Sequence, residues 1–326
     1  MTGNVPKVSV LIPIYNVERY LNQCLDAVCH QTLRDIEIVC INDGSTDDSP
    51  RIIRKWAEVD KRIVVVDKDN SGYGASLNCG LKIATGEYVG IVEPDDFPER
   101  TMYKKMVRPT RFARVDVVKC NYFEHRNGTD FPVFNLDGHL YGRAFDPIDR
   151  PSVLCTIPAI WTGLYRRSFL EAEGIRFRET PGASFQDTGF TMKVWGAASR
   201  CVFVKDALLH YRVDNPGSSC KTTDKVFTVC DELHEAEIFL RARPDRCKHL
   251  LPWFFVDKWG KYRWNYERVS PSQHEIFARR MYDEYLDARN AGELDMLLFD
   301  EESRCALEAL LSEGPERFVL SHTETF

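Results

Sequence analysis

Over its first hundred residues the chain alternates between two hydrophobic patterns, and this alternation is what most constrains its fold. Runs of consecutive apolar, mostly β-branched residues are separated by segments with apolar residues at helical spacing, such as Glu18–His30. Strands alternating with helices of about 10–15 residues predict a parallel sheet with helices on both faces. The apolar runs are Val8–Tyr15, Asp35–Ile41, Arg62–Val66 and Tyr88–Val92.

Polar residues follow each of these runs. Ligands of such sheets bind beyond the carboxyl ends of the strands, so we expect a binding site where these polar segments meet. The segments are Pro13–Asn16, Asn42–Ser45, Asp67–Gly74 and Glu93–Asp96.

The pattern is less regular beyond Pro98, and residues 127–158 form a long segment rich in Gly, Pro, Asp and Asn. We predict an α/β domain over residues 1–215 and a helical C-terminal region over residues 216–326. Predicted strands are Val115–Phe123, Trp161–Tyr165 and Cys201–Tyr211, and predicted helices are Arg167–Glu173, Phe185–Ala198, Asp224–Arg243, Leu251–Tyr266, Gln273–Asn290 and Glu301–Leu311.

Composition excludes several classes of protein. The 326 residues are 44% hydrophobic and 28% charged, which is ordinary for a globular chain. The net charge of −6 argues against nucleic acid as a partner. No apolar run is long enough to predict a membrane span or a signal peptide. The 11 cysteines include no C-x-x-C pair, which favours a reducing compartment. We therefore expect a cytoplasmic protein, with the inner membrane face as an open alternative.

Three carboxylates at the end of the fourth apolar run are the strongest chemical signal. Glu93 and Asp95 lie at i and i+2 and so share a face of an extended chain, and Asp96 follows. Clustered carboxylates repel one another unless a cation lies among them, and Mg²⁺ or Mn²⁺ suits oxygen ligands. A solvated turn with a helix cap is the alternative.

Two further motifs lie at predicted strand ends. Asp43 precedes Gly44 and could accept hydrogen bonds from a base or ribose; the alternative is a plain turn in which Thr46 or Asp47 caps the next helix. Gly72 and Gly74 precede a predicted helix and could offer backbone N–H groups to a phosphate. An ordinary turn explains these glycines equally well, since Leu77 stands where a dinucleotide fingerprint needs its third glycine.

Later in the chain, single polar residues stand in apolar surroundings. Asp187 lies in an aromatic segment, where burial would raise its pKa and make it a better base; a helix N-cap is the alternative. His210 and Arg212 share a face of a predicted strand, where they could bind a metal and a diphosphate. A core histidine and a surface arginine are the alternative.

Taken in order, these segments resemble family 2 glycosyltransferases of the GT-A fold, a Rossmann-like, mixed but mainly parallel sheet with helices on both faces. The resemblance covers roughly residues 5–219. It rests on VSVLIPIYN and its following helix, on INDGSTDDS, on DNSGYGASLNCGLKIATGEYVGIVEPDD, on FQDTGF and on HYRVDNPGSS.

The resemblance implies a role for each matching residue. Asp187 would be the catalytic base that deprotonates the acceptor hydroxyl. The cofactor would be Mn²⁺ or Mg²⁺, with Asp95, Asp96 and His210 as metal ligands. The residues implied to bind the nucleotide are Pro13, Tyr15, Asp43, Glu93, Asp95 and Arg212.

The chain departs from the family pattern at three positions. Glu93 replaces the usual first Asp of the Asp-x-Asp motif, and Leu77 stands where many members have Arg. Gln186 replaces the Glu that commonly precedes the base, but the acid at Asp187 is kept.

The implied activity is inverting transfer of a sugar from a nucleotide diphosphate donor, which we expect to be a UDP-sugar, to a hydroxyl of a glycan or lipid-linked acceptor. A cation and Arg would stabilise the departing diphosphate. A relative that binds nucleotide or glycan without turnover is the alternative. A homodimer and a peripheral membrane contact stay open, because the aromatic run between Trp253 and Tyr266 fits a core, a subunit contact or a membrane face.

Overall fold

The computed structural model describes residues 5–216 and 227–323. The strands are β1 (Val8–Ile14), β2 (Ile36–Asp43), β3 (Ile63–Lys68), β4 (Tyr88–Ile91), β5 (Phe97–Pro98), β6 (Val117–Arg126), β7 (Thr129–Val133), β8 (Ala144–Phe145), β9 (Gly163–Arg166) and β10 (Cys201–Arg212). The helices are α1 (Glu18–Cys29), α2 (Ser49–Val59), α3 (Tyr73–Ile83), α4 (Met102–Met106), α5 (Arg167–Ala172), α6 (Gln186–Ala197), α7 (Thr228–Arg241), α8 (Pro244–Tyr266), α9 (His274–Asn290), α10 (Glu301–Glu313) and α11 (Pro315–Thr323).

The strands within these described residues form one mixed sheet in the order β3-β2-β1-β4-β9-β6-β10-β5, with β7 on β6 and β8 on β10. Strands β1, β2, β3, β4, β6 and β10 all run in one direction, and β5, β7, β8 and β9 run against them. The predicted mainly parallel α/β sheet is confirmed. Its consequence for the site is that β1, β2, β3, β4 and β10 all end at the same edge.

Burial explains why the first strands read as continuous apolar runs. All seven residues of β1 are buried although successive side chains point to opposite faces, so both faces of this strand are covered. Helix α1 buries Leu21, Leu25 and Val28, which are three or four residues apart. The four predicted strands and the helices between them are therefore confirmed.

The segment from 127 to 158 also contains strands, although its sequence shows neither helical nor strand periodicity. Asn127 and Gly128 both have positive φ, 48° and 76°, and connect β6 to β7 as a hairpin. Positive φ at both central positions is what tight hairpin turns require, and Asn and Gly supply it at little cost. The strand β8 pairs with β10 further along the same segment.

The C-terminal residues from Thr228 onward are helical, as predicted. On α8, the aromatic side chains of Phe254, Phe255, Trp259, Tyr262 and Tyr266 are buried, which confirms the interpretation that this run packs a core. The predicted boundary after residue 215 lies beside residues 217–226, which are outside the described ranges. No helix among the described residues has the length and apolarity needed to cross a lipid bilayer.

Ion pairs tie these helices to α6 and to the segment before it. Lys193 of α6 pairs with Glu235 of α7 at 2.7 Å, and Arg178 lies 3.4 Å from Asp231. Helix α6 contacts both α7 and α8. The position of α6 is therefore set jointly by the sheet and by the C-terminal helices.

Candidate active site

The loops after β1 and β2 hold one another in place. Asn16, in the left-handed region with φ 48°, accepts a hydrogen bond from the Thr46 backbone N–H at 2.8 Å. The Asp47 carboxylate accepts the backbone N–H groups of Glu18 at 2.9 Å and Ser49 at 3.0 Å. Asp48 precedes the first residue of α2 but makes no side-chain capping bond, and the predicted capping by Asp47 is confirmed by its hydrogen bond to the Ser49 N–H. Asp47 also links the starts of α1 and α2.

Asp43 is held rigidly at the end of β2. Its side chain is 6% exposed, and its two oxygens accept the backbone N–H groups of Ser71 at 2.9 Å and Gly72 at 3.0 Å. Lys68 forms an ion pair with the same carboxylate. The structure brings Asp43 together with the end of β1, since Pro13 pairs with Ile41 in the sheet, and Tyr15 just beyond is 53% exposed.

The glycines of the loop before α3 serve a close backbone approach. Gly72 has φ 95°, and a Cβ there would lie 2.5 Å from the Thr180 carbonyl oxygen. A Cβ on Gly74 would lie 2.0 Å from the Arg178 carbonyl oxygen. These contacts favour the ordinary-turn interpretation. The absence of side chains at Gly72 and Gly74 lets residues 178–182 pack directly on α3. The same segment leads to Asp187.

Tyr73 joins that segment to the carboxylate cluster after β4. Its backbone N–H donates to the Gly182 carbonyl at 3.1 Å, and its hydroxyl donates to the Glu93 carboxylate. Burial raises the pKa of Glu93 to about 8; the Tyr73 hydroxyl offsets part of this, and the charges of Asp95 and Asp187 raise it further. Glu93 therefore lies close enough to both acids to feel their charges.

Asp95 and Asp96 face β10. Asp95 accepts a hydrogen bond from the Asn215 side chain at 2.7 Å, and Asp96 accepts one from the Arg212 backbone N–H at 2.8 Å. Asp96 is buried, and in the described ranges its second oxygen has no hydrogen-bond partner. Burial raises the pKa of Asp96 well above its usual value, the Asp95 charge raises it further, and the Arg212 hydrogen bond opposes both.

The Arg212 side chain lies over the same loop. Its Nε donates to the Asp95 carbonyl at 3.0 Å, and its terminal nitrogen donates to the Gln23 side chain at 2.7 Å. The guanidinium also stacks 4.8 Å from the ring centre of Tyr20 on α1. Arg212 is thus held beside the carboxylates with its charge near the strand ends.

The His210 side chain does not face the Asp95 and Asp96 carboxylates, with which it was predicted to bind a metal. Its Nε2 faces Glu99 at 3.1 Å and its Nδ1 faces Asp130 at 2.9 Å. Both ring nitrogens are thus directed at these carboxylates instead of Asp95 or Asp96. The structure does not bring the predicted ligand set Asp95, Asp96 and His210 together, because the His210 ring is stacked on Phe97 and turned away by that packing.

Asp187 stands in the first turn of α6, after a strained start. Phe185 at the N-cap position has φ 59°, a left-handed conformation that is costly for a bulky residue. The Gln186 side chain fixes the segment before the helix by donating a hydrogen bond to Thr180 Oγ1 at 2.8 Å. Asp187 accepts the Thr188 backbone N–H at 2.7 Å. The side chain is therefore aimed by its own helix start.

Three residues that sequence reasoning missed influence Asp187. The charge of Asp187 acts to raise the pKa values of Tyr73 and of Lys119 in β6. The charge of Lys261 in α8 acts to lower the pKa of Asp187. Burial raises the pKa of Asp187, while the Thr188 hydrogen bond and then the Lys261 charge lower it. Burial lowers the pKa of Lys119 to about 8. No local sequence signal marks these residues, because they come from elements far apart in the chain.

The donor set fits a divalent cation. Glu93, Asp95 and Asp96 crowd three carboxylates at one strand end, and burial and the charges of neighbouring carboxylates raise the pKa values of Glu93 and Asp96. Asp96 also has a buried oxygen without a partner among the described residues. Hard oxygen ligands of this kind suit Mg²⁺ or Mn²⁺.

Comparison with known sequences gives a family match. The family model described as Glycosyl transferase family 2 matches residues 9–173. The chain is 30% identical over 232 residues to glycosyltransferase GlyA of Streptococcus pneumoniae, covering 67% of this chain and 32% of GlyA. It is 30% identical over 218 residues to the uncharacterized glycosyltransferase EpsJ of Bacillus subtilis, covering 66% of this chain and 63% of EpsJ. The chain thus spans between about a third and two thirds of these relatives' lengths.

Comparison with solved structures extends over nearly the whole chain. Residues 1–349 of S. aureus TarS, in complex with UDP-GlcNAc, superpose with a TM-score of 0.76 over 96% of this chain and 89% of that one, at 19% sequence identity. At this identity the similarity shows a common fold, and that fold includes C-terminal helices.

Proposed function

The chain belongs to glycosyl transferase family 2, and we propose on that premise that it transfers a sugar from a nucleotide diphosphate to an acceptor hydroxyl. The reaction is an in-line displacement at the anomeric carbon. The leaving diphosphate lies on the side of Asp95 and Arg212, and the base Asp187 lies on the side of the acceptor. Such a displacement inverts the anomeric configuration.

The observation that carries the proposal is the placement of Glu93 between the two halves of the site. The charges of Asp95 and Asp187 both act on Glu93, and Tyr73 bonds Glu93 while its backbone N–H holds the segment that leads to Asp187. Residues more than ninety positions apart therefore act on one another electrostatically, which supports placing them in one site. A sugar held between them would have its phosphate toward Asp95 and its acceptor toward Asp187.

Positive charge on the leaving-group side supports the departing diphosphate. Bound Mn²⁺ or Mg²⁺, held by Asp95 with Glu93 and Asp96 beside it, would supply Lewis-acid stabilisation of the diphosphate. Arg212 adds a fixed guanidinium, held by Asp95 and Gln23 and pressed against Tyr20. His210 is left out of the proposed ligand set, since its ring nitrogens face other carboxylates.

On the nucleoside side, Pro13, Tyr15 and Asp43 line the ends of β1 and β2. The Asp43 carboxylate is fixed by two backbone N–H groups, so it could accept a base N–H without reorganising. A UDP donor is proposed here. It is supported by the UDP-GlcNAc bound in the similar TarS structure.

The acceptor is proposed to be a hydroxyl of a glycan or of a lipid-linked saccharide. Relatives named hyaluronan synthase, chondroitin synthase and minor teichoic acid biosynthesis protein support a polymer-building role. Burial makes Asp187 a stronger base for that hydroxyl than an exposed aspartate would be.

Asp187→Asn separates transfer from binding. We expect transfer from the UDP-sugar to fall by at least about 100-fold, because general-base assistance is lost, while UDP and Mn²⁺ affinity stays within about threefold. For the wild type, log kcat should fall as the pH drops through the raised pKa of Asp187, since only the carboxylate accepts a proton.

The matched control is Asp245→Asn, an acid in the first turn of α8, which should behave as wild type. Unchanged turnover in Asp187→Asn would contradict the base assignment. Tight UDP binding with no transfer to any glycan acceptor in the wild type would favour the binding protein without turnover.

A further inference from the structure

A cluster of two histidines and one aspartate joins the end of β10 to the β6–β7 hairpin. The Nδ1 atoms of His125 and His210 lie 2.7 Å and 2.9 Å from the same carboxylate oxygen of Asp130. One ligand atom from each of the three residues lies within 4.8 Å of the others, an arrangement that no other such group shows in residues 5–216 and 227–323. The residues come from three separate positions in the sheet and meet only in the folded chain.

His210 is fixed before any ligand binds. The side chain is 9% exposed, and its ring is stacked between Phe97 at 4.4 Å and Phe123 at 4.8 Å, nearly parallel to both. Its Nε2 faces the Glu99 carboxylate at 3.1 Å. A histidine that ligates a metal commonly donates its second ring N–H to a carboxylate in this way, and that bond fixes the tautomer and the ring orientation.

The number of protons on the His210 ring indicates that a cation is needed beside its Nδ1 atom. A neutral imidazole carries one N–H. When Glu99 accepts that N–H at Nε2, the Nδ1 lone pair of His210 points toward the Asp130 carboxylate, and two electron-rich atoms face each other at 2.9 Å. In keeping with this, the buried Nδ1 atom makes no hydrogen bond within the described part of the chain.

Two kinds of cation would relieve this contact. A second proton on His210 would satisfy that ring alone. A divalent ion would neutralise the charges of both Glu99 and Asp130, and would also replace the proton through which His125 Nδ1 donates a hydrogen bond to the same Asp130 oxygen. The second histidine therefore favours the metal.

We propose that His125, Asp130 and His210 bind a divalent transition metal of the zinc class, with Glu99 orienting His210. Imidazole and carboxylate ligands suit zinc, and two histidines with one carboxylate leave a coordination position for water. Asp130 is 38% exposed, so solvent reaches the site. Zinc ligands at about 2 Å from the ion stand about 3.3 Å apart, so the two histidine nitrogens, which lie within 4.8 Å of one another, must approach, and the Asp130 side chain must retreat by roughly half an ångström. Its exposure makes that movement cheap.

The role of this metal is to hold the hairpin against the edge of the sheet that carries the carboxylates. His210 lies two residues before Arg212, and Phe97 beside it directly follows Asp96. A bound ion would cross-link β6, β7 and β10 at this corner. The proposal does not depend on the transferase reaction, because it needs no donor or acceptor.

The test is zinc binding by the full chain, stripped with a chelator and titrated with Zn²⁺ against a chromophoric competitor. We expect about one tight equivalent per chain in the wild type and in Asp95→Asn, which disables the proposed catalytic metal position. His125→Ala and Asp130→Asn should each weaken binding by more than about 100-fold. Glu99→Gln should weaken it by about 10–100-fold through loss of orientation.

His30→Ala is the matched control, because His30 also lies beside a carboxylate, Asp26 at 3.1 Å, but on the exposed end of α1. It should bind zinc as the wild type does. Substitution of Co²⁺ gives a second readout, since a low-coordinate nitrogen and oxygen site colours the ion and the His125→Ala protein should stay colourless. Thermal unfolding should show that zinc stabilises the wild type and not His125→Ala.

Three results would overturn the proposal. They are the absence of tight zinc in the wild type, equal zinc affinity in His125→Ala and Asp130→Asn, and loss of the zinc in Asp95→Asn. The last would assign the ion to the carboxylate cluster. Stabilisation by acid with no effect of zinc would mean that a second proton on His210 satisfies the contact.

Discussion

At the scale of single residues, burial and neighbouring charges set the chemistry of the acids. Glu93 and Asp187 stand in segments of unlike sequence, yet burial is the largest cause of the raised pKa in each. A buried carboxylate that holds its proton near neutral pH is ready to exchange that proton for a metal ion. One that is ionised but poorly solvated is ready to take a proton from a hydroxyl.

The metal affinity of the site should depend on the protonation of Glu93. Its pKa is about 8, so below that pH the carboxyl must release a proton before it can face a cation. Affinity for Mn²⁺ with UDP should therefore weaken by up to about tenfold per pH unit as the pH falls below 8. Glu93→Gln should remove this dependence, and Tyr73→Phe should move its midpoint to higher pH, since the Tyr73 hydroxyl lowers the pKa. Calorimetric titration from pH 6 to 9 measures both.

Glu87→Gln provides the control, because Glu87 is half exposed and pairs with Lys7 on the surface. Its profile should match that of the wild type. A pH-independent affinity in the wild-type protein would contradict the assignment of Glu93 to the metal side of the cleft.

At the scale of elements, a glycine-bearing helix start positions the base. Helix α3 begins at Tyr73, and its first glycine, Gly74, lets the Arg178 carbonyl approach where a side chain would stand. The same helix start bonds Gly182 through the Tyr73 backbone and Glu93 through the Tyr73 hydroxyl. One helix start thus sets the spacing between the metal side and the base side of the cleft.

Gly74→Ala tests this spacing. The new Cβ would lie 2.0 Å from the Arg178 carbonyl oxygen, so backbone must shift. We expect a loss of about 1–3 kcal/mol in the free energy of unfolding and a larger relative loss of kcat than of UDP affinity, because the displaced Arg178 carbonyl belongs to the segment that leads to Asp187. Urea unfolding and transfer assays measure the two effects.

Gly260→Ala is the matched substitution on α8, where nothing lies within 4 Å of the new Cβ. Alanine is the better helix former, so this variant should gain about 0.5–1 kcal/mol with unchanged activity. Wild-type kcat in Gly74→Ala would show that the contact with residues 178–182 does not set the cleft.

At the scale of the whole molecule, the C-terminal helices complete the environment of the base. Lys193 and Arg178 connect α6 and its preceding segment to α7, and Lys261 of α8 contributes charge at Asp187. Deeper in this region Lys258 is 0% exposed and lies 2.8 Å from both Glu237 and Glu284. The helical region is therefore held by buried charge pairs as well as by aromatic packing.

Lys258→Met should destabilise the chain strongly. Removing the cation leaves Glu237 and Glu284 poorly solvated, with Arg241 and Arg280 as their remaining cationic partners, which we expect to cost up to about 3–5 kcal/mol. The control is Arg51→Ala, whose partner Asp48 is largely exposed, and its effect should be within about 0.5 kcal/mol. Denaturant unfolding compares them; equal effects of the two substitutions would contradict the buried pairing.

Sequence patterns alone predicted four strands of a parallel sheet alternating with helices, and they located the acids that follow those strands. Apolar runs, helical spacing and strand-end residues are local properties, so Asp43, Glu93 and Asp95 could be assigned to one sheet edge from the parallel topology alone. The resemblance singled out Asp187 as well, through its own short motif.

Tertiary structure alone decided which side chains meet. His210 and Arg212 share a strand face in sequence, yet stacking on Phe97 and Phe123 directs His210 to Asp130 while Arg212 turns to Asp95. The same holds for the buried aromatics of α8, whose spacing fits a core or a surface equally well. Contacts between distant elements depend on how faces pack, and no pattern within one segment contains that information.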